Sequence, residues 1–130
     1  MENIMVDIDE SETGRPELVL KLTDFGFSCV MEQDKKPTMK LGTHYCMAPE
    51  MFKPDQSYDN KVDTWALGVL LYKLLSQKLP FDGRTKSEIK DKILTEQPDF
   101  TCFDHFGKKK KIKDFLSHCL DKNPVTRYSA

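Results

Sequence analysis

Two polar side chains near the start of the 130-residue sequence can do chemistry together. Asn3 precedes the short apolar segment Ile4-Met5-Val6, and Asp24 follows a second apolar segment, Leu18 to Leu22. The residues between these segments are polar and include Gly and Pro, which favours a hairpin of two strands. A hairpin places Asn3 beside one strand and Asp24 just beyond the other. Two side chains with oxygen ligands would then converge, and such ligands suit a hard metal ion.

Asp24 also begins the first of three motifs that occur in a fixed order. Asp24-Phe25-Gly26 is followed by Ala48-Pro49-Glu50 and then by Asp63-Thr64-Trp65-Ala66-Leu67-Gly68. Each motif alone is a weak signal, but their order and spacing together are specific. The sequence resembles the C-terminal half of the catalytic domain of a serine/threonine protein kinase. Leu79-Pro80-Phe81 and the segment from Asn123 to Arg127 make it most similar to the calcium/calmodulin-dependent and calcium-dependent kinases.

The resemblance implies a site for ATP and Mg²⁺, with Asp24 as the principal metal ligand and Asn3 as the second one. It also implies three residues that bind the protein substrate. Glu2 occupies the position where basophilic kinases often hold an Arg of the substrate, with an ordinary surface Glu as the alternative. Gly42 and Thr43 belong to the segment that seats the residue after the phosphoacceptor. His44 and Cys46 depart from the family, which usually has Pro and an aromatic residue at these positions.

The resemblance assigns structural roles to four further residues: Glu50, Asp63, Trp65 and Arg127. Glu50 and Arg127 are expected to form a buried ion pair that pins the activation segment to the last helices. Asp63 accepts hydrogen bonds from the catalytic-loop backbone in the family, so without that partner its carboxylate is expected to be neutral or exposed. The usual phosphorylated position of the activation loop is Met39 here, and Thr38 beside it is read as an ordinary loop residue.

Met1-Glu2-Asn3 looks like the end of the H-R-D-x-x-x-x-N catalytic loop, so the chain is expected to begin after the catalytic Asp. The Gly-rich loop, the phosphate-orienting Lys and its Glu partner are also missing from the sequence. Residues 1–130 are therefore interpreted as a partial kinase domain without its N-lobe, and this chain alone is expected to be inactive. The alternative is a non-catalytic, pseudokinase-like interaction module. An in-frame H-R-D-L-K immediately upstream of Met1 in the gene would favour the fragment.

The predicted fold class is mainly α, or α+β by family: a kinase-like C-lobe that is helical, incomplete and preceded by a short β-hairpin. One helix is predicted from Lys61 to about Ser76, capped by Asp59 or Asn60, and its nearly all-round apolar surface is expected to be covered on every side. A second helix is predicted over Lys86 to Thr95. Apolar residues at helical spacing mark a third, namely Ile112, Phe115, Leu116, Cys119 and Leu120. Phe27 to Leu41 is predicted to be a loop.

Composition excludes several other classes of function. Twenty basic and 21 acidic residues give a net charge of −1, so no net field favours nucleic acid or an anionic membrane. No apolar stretch is long enough to span a bilayer, and no signal peptide is recognisable. Four widely spaced cysteines predict free thiols rather than a zinc site. An intracellular, cytoplasmic protein is expected, whose partner is a protein substrate or the missing kinase half, and the sequence leaves its oligomeric state open.

Overall fold

The computed structural model describes residues 3–10, 16–30, 37–38, 42–54 and 57–129. The predictions for Glu2 and Met39 lie outside these residues. The chain divides into two compact units, Met1–Val30 and Met31–Ala130. The first contains a β-hairpin and the second contains the helices.

The hairpin consists of strand β1 (Ile4–Glu10) and strand β2 (Pro16–Leu22), which pair antiparallel. Both strands are longer than the apolar segments predicted. Asp7 and Asp9 alternate with Val6 and Ile8, so the polar residues continue the period of two and occupy the opposite face of the hairpin. The side chain of Asp7 accepts a hydrogen bond from Lys21 on that polar face. A polar composition therefore did not mark the end of the strand.

The other face of the hairpin is apolar. Its cross-strand pairs are Ile4 with Leu22, Val6 with Leu20, and Ile8 with Leu18. Val6, Ile8, Leu18, Leu20 and Leu22 each remain 62–73% exposed. A two-stranded hairpin is only marginally stable until such a face is packed against something.

In the described part of the second unit there are three α-helices, α1 (Lys61–Ser76), α2 (Lys86–Thr95) and α3 (Lys109–Cys119). The predicted mainly helical class with an N-terminal hairpin is confirmed, as are the bounds of α1 and α2. Helix α3 begins three residues before Ile112, because the lysines that precede its apolar stripe already form its exposed first turn. Short 3₁₀ helices also occur, at His44–Cys46, Pro49–Phe52 and Thr101–Phe103.

Local hydrogen bonds set both ends of α1. The Asp59 carboxylate accepts from the backbone N–H of Lys61 at 3.0 Å, so Asp59 rather than Asn60 supplies the side-chain cap. At the other end Gln77 adopts the left-handed conformation, with φ 61° and ψ 12°. A non-Gly residue in that conformation costs about 1 kcal/mol.

Helix α1 forms the centre of the core. Trp65 stacks on Phe81 with ring centroids 5.8 Å apart, and Tyr72 meets Phe103 edge to face at 5.1 Å. Gly68 allows α1 and α3 to approach closely, since an added Cβ would lie 2.8 Å from the Cβ of Cys119. The expectation that α1 is covered on every side is wrong: Leu67 and Leu74 are each 51% exposed.

Two further predictions concern the cysteines and membrane-spanning segments. Cys29, Cys46, Cys102 and Cys119 are all free thiols, as predicted. Among the described residues, no helix combines the length and the apolar character that crossing a membrane requires.

Candidate functional site

The hairpin brings Asn3 and Asp24 together. The backbone N–H of Thr23 donates to the carbonyl of Asn3 at 2.9 Å, which continues the strand pairing by one step. The two side chains consequently meet, with 3.5 Å between Asn3 Nδ2 and Asp24 Oδ2. Both residues are exposed. Their juxtaposition follows from the strand register, because Ile4 pairs with Leu22 at this end of the hairpin.

The turn after β2 directs the Asp24 carboxylate. Asp24 has φ 61°, which is unusual for a residue with a side chain and is a form of backbone strain often found at functional sites. Its Oδ1 accepts from the backbone N–H of Gly26 at 3.2 Å. A Cβ on residue 26 would lie 3.1 Å from that oxygen, so glycine permits the close approach. The turn is closed by Ser28, whose N–H and hydroxyl both donate to the carbonyl of Phe25.

The donor set of this pair fits Mg²⁺ in type. Asp24 offers a carboxylate and Asn3 an amide oxygen, since only its Nδ2 is used in the contact between them. Mg²⁺ is commonly held by one or two protein oxygens, with water and phosphate completing its octahedral shell. Across the described part of the chain, no group of three or more His, Cys, Asp or Glu side chains could hold a metal ion. The pair can therefore provide part of a magnesium shell rather than a complete protein cage.

A second feature is a small cavity in the helical unit, of about 150 Å³. Its lining residues include Gly42, Thr43, Cys46 and Met51, together with Val62 and Asp63 of α1. Gly42 has φ 112°, a conformation that strongly favours glycine at this point of the wall. The predicted substrate-binding residues Gly42 and Thr43 thus line the same cavity as the first turn of α1.

The walls of this cavity are mostly apolar and carry one carboxylate. Asp63 is exposed in the first turn of α1, where a negative charge favours the helix dipole. The sequence predicts that the Asp63 carboxylate is neutral or exposed, and in the structure its side chain is exposed. Burial raises the pKa of the Cys46 thiol and so favours its neutral form. The cavity suits a small, largely apolar side chain.

The Ala48-Pro49-Glu50 motif lies next to the cavity and is fully buried. The Arg127 guanidinium donates to both carboxylate oxygens of Glu50, with Nη1–Oε1 at 2.6 Å and Nη2–Oε2 at 2.9 Å. The two residues are 3% and 2% exposed. The structure thus pairs these two residues, and the double contact compensates two charges removed from water.

Arg127 has further partners that fix its guanidinium. Its Nε donates to the carbonyl of Asp121 at 2.8 Å, and its Nη1 donates to the carbonyl of Lys61 at 3.2 Å. Its Cζ lies 5.1 Å from the centroid of the Trp65 ring, within cation–π range. Trp65 is fully buried and so links the ion pair to the aromatic core.

Sequence reasoning missed two lysines of this region. Lys61 donates from Nζ to the carbonyls of Pro124 and Val125, at 2.7 and 3.0 Å. Lys122 lies 5.5 Å from the centroid of the Phe81 ring, and within the described structure its buried Nζ has no hydrogen-bond partner. Backbone carbonyls accept the Lys61 bonds, so residue types gave no signal of this contact.

Comparisons with known proteins agree with the motif order. The family model for the protein kinase domain matches residues 1–130. The chain is 34% identical over 129 residues to calcium-dependent protein kinase 4 of Plasmodium berghei, and the matched region covers 99% of this chain and 23% of that protein. It is 37% identical over 127 residues to developmentally-regulated protein kinase 1 of Dictyostelium discoideum, covering 97% and 16%.

A bovine relative also matches nearly the whole chain. The chain is 32% identical over 134 residues to the phosphorylase b kinase gamma catalytic chain, liver/testis isoform, of Bos taurus, which covers 99% of this chain and 31% of that protein. The chain thus spans between about a sixth and a third of the length of these three curated relatives.

Proposed function

Because this chain belongs to the protein kinase family, we propose that it forms part of the site of a serine/threonine kinase, which transfers the γ-phosphoryl group of ATP to a protein hydroxyl. The observation that carries this proposal is the juxtaposition of Asn3 and Asp24, with 3.5 Å between Nδ2 and Oδ2 at the end of the hairpin. Their oxygens are the groups such a reaction needs beside the phosphates.

In this proposal Asp24 and Asn3 hold the Mg²⁺ of Mg·ATP. When bound, Mg²⁺ neutralises charge on the phosphate oxygens. The chain's own contribution is to orient the ligands: the strand register places Asn3, and the bond from the Gly26 N–H holds one oxygen of Asp24. Since both side chains are exposed, nucleotide can reach them without a change in the hairpin.

The cavity beside Thr43 is proposed to take part of the protein substrate. Its apolar walls and its volume of about 150 Å³ suit a small apolar side chain next to the phosphoacceptor. The buried pair of Glu50 and Arg127 holds the adjoining segment in place. In this proposal the Glu50–Arg127 ion pair stabilises the position of the residues that contact the substrate.

The 130 residues contain no H-R-D motif, no Gly-rich nucleotide loop and no phosphate-orienting Lys with its Glu partner. Phosphoryl transfer depends on positioning and charge stabilisation by these groups. We therefore propose that the polypeptide of residues 1–130, tested by itself, binds Mg²⁺ and nucleotide weakly and does not transfer phosphate. The assignment of these 130 residues to the C-terminal half of a kinase domain is part of the same proposal.

A second candidate function is a non-catalytic interaction module. It is favoured by two exposed apolar surfaces, the hairpin face that includes Val6 and Leu20, and the positions Leu67 and Leu74 on α1. Uncovered apolar surface of this kind marks sites of protein association. This candidate requires no metal or nucleotide at Asp24.

Paramagnetic NMR on the 130-residue chain tests the proposal. Mn²⁺ with ADP should broaden the resonances of Asn3, Asp24 and Gly26 in the wild type and leave them sharp in Asp24→Asn. Asp7→Asn is the matched control, since Asp7 is an exposed hairpin carboxylate already paired with Lys21. Broadening centred on Asp7, or none at all, would refute the assignment and favour the interaction module. Phosphate transfer to a Ser peptide by this chain would refute the predicted inactivity.

A further inference from the structure

Lys61 joins the start of α1 to the turn that follows α3. Its Nζ donates to the carbonyls of Pro124 and Val125, at 2.7 and 3.0 Å. Its own carbonyl accepts from Nη1 of Arg127 at 3.2 Å. Side chain and backbone of one residue therefore both contact the segment that carries Arg127.

That segment is internally organised. The backbone N–H of Arg127 donates to the carbonyl of Asn123 at 3.0 Å, and the N–H of Val125 donates to the Asn123 side chain at 3.0 Å. Thr126 donates from its hydroxyl to the carboxylate of Asp121. Because these bonds make the turn a unit, holding two of its carbonyls fixes the whole turn, including the backbone of Arg127.

We propose that Lys61 is a positioning residue for Arg127. By holding the turn at Pro124 and Val125 against the first turn of α1, its ammonium sets where the guanidinium meets Glu50. The contacts alone carry this inference, and it does not require that the chain bind nucleotide or peptide.

The placement of Lys61 extends the effect to the cavity. Val62 and Asp63, which follow Lys61, line the cavity together with Met51, which follows Glu50. Fixing Lys61 relative to the Glu50–Arg127 pair therefore fixes the separation of these lining residues. That this separation selects the substrate side chain rests on the proposed function.

Trp65 provides a readout that loss of stability alone would not change. It is the only tryptophan in the chain, and the Arg127 guanidinium lies 5.1 Å from its ring centroid. Its fluorescence in the folded state therefore reports whether the guanidinium stays in place. A lysine that contributed only to stability would alter the unfolding midpoint and leave the native emission unchanged.

The experiment compares three variants of the full chain. Lys61→Met removes the ammonium, and Lys61→Arg keeps a cation that can reach the same carbonyls. Lys92→Met is the matched control, because Lys92 also donates to a backbone carbonyl, that of Asp82 at 2.8 Å, which lies outside the turn that carries Arg127. Trp65 emission and its quenching by acrylamide are recorded under native conditions, together with the exchange of the Arg127 Nε–H by NMR.

Lys61→Met is expected to shift the Trp65 emission, increase acrylamide quenching and lose the slow exchange of the Arg127 Nε–H. Lys61→Arg should restore all three, and Lys92→Met should match the wild type. If Lys61→Met is unfolded in buffer, the spectra are recorded in trimethylamine N-oxide, which favours the compact state. Native emission and slow exchange in Lys61→Met, or the same changes in Lys92→Met, would overturn the proposal.

Discussion

Arg127 donates two hydrogen bonds to Glu50, a residue 77 positions earlier in the chain, and both side chains are almost completely removed from water. The pair connects the buried Ala48-Pro49-Glu50 motif to the turn after α3. This ion pair therefore holds the segment around Glu50 and the turn around Arg127 together.

The first prediction concerns the loss of one partner of this pair. Arg127→Met should lower the free energy of unfolding by about 3–5 kcal/mol, because Glu50 is left buried and uncompensated. Lys113→Met is the control, since it removes an exposed pair with Asp104 and should cost less than about 1 kcal/mol. Urea unfolding followed by Trp65 fluorescence measures both. Equal costs for the two variants would show that the buried pair contributes no more than a surface one.

The second prediction concerns the end of α1. Gln77→Gly should raise the free energy of unfolding by about 0.5–1 kcal/mol, because glycine adopts φ 61° without the steric cost of a side chain. The bond from Gln77 Nε2 to the carbonyl of Leu74 is lost but is exposed to water. Gln97→Gly, at an exposed position outside the helices, should be neutral or destabilising. The urea midpoints of the two variants decide the matter, and a lower midpoint for Gln77→Gly would contradict the prediction.

Some elements of the fold can be predicted from sequence patterns and others cannot, for physical reasons. Helices α1 and α2 were predicted closely because apolar spacing and flanking Pro residues are local signals. The hairpin was predicted too short because Asp7 and Asp9 lie on its polar face, where composition resembles that of a turn. The exposure of Leu67 was not predicted, because an apolar pattern shows that a side chain can be buried but does not show whether another element packs against it.

The contacts of the candidate site likewise include some that the sequence predicts and some that it does not. The meeting of Asn3 and Asp24 follows from a hairpin that the sequence suggests. The contacts of Lys61 with the carbonyls of Pro124 and Val125 do not, because every residue has a carbonyl and the pairing depends on tertiary placement alone. The left-handed backbone of Asp24 was likewise not predictable, since Asp adopts that conformation only in particular turns.

The third prediction concerns the buried ammonium of Lys122. Burial lowers the pKa of this side chain below its ordinary 10.5, and the nearby charge of Glu96 opposes the effect only in part. At neutral pH the ammonium is charged in both folded and unfolded chains, so the burial cost is present in full. As the pH rises from the folded-state pKa towards 10.5, the folded chain releases the proton first. The free energy of unfolding should therefore increase across that window.

Lys122→Met tests this directly. The variant should be more stable than the wild type at neutral pH, because an ammonium without a hydrogen bond is replaced by an apolar group. It should also lose the rise in stability at alkaline pH. Lys110→Met, an exposed lysine of α3, is the control and should retain that rise. Urea midpoints are measured from neutral pH to about pH 10. The same pH dependence in Lys122→Met as in the wild type would contradict the prediction.

The last prediction separates the backbone role of Asp24 from its carboxylate. Asp24→Gly should stabilise the turn by about 1 kcal/mol, because φ 61° is unstrained in glycine, whereas Asp24→Asn should be close to the wild type, because Asn tolerates this conformation as Asp does. Both variants should lose the broadening of the Gly26 resonance by Mn²⁺ with ADP. Amide exchange of Ser28, whose N–H donates to the carbonyl of Phe25 and not to the Asp24 side chain, measures the stability of the turn in each variant. Retained broadening in Asp24→Asn would show that the carboxylate is not the metal ligand, and faster exchange in Asp24→Gly would show that the turn is held by the side-chain bond to Gly26 rather than strained by the backbone of Asp24.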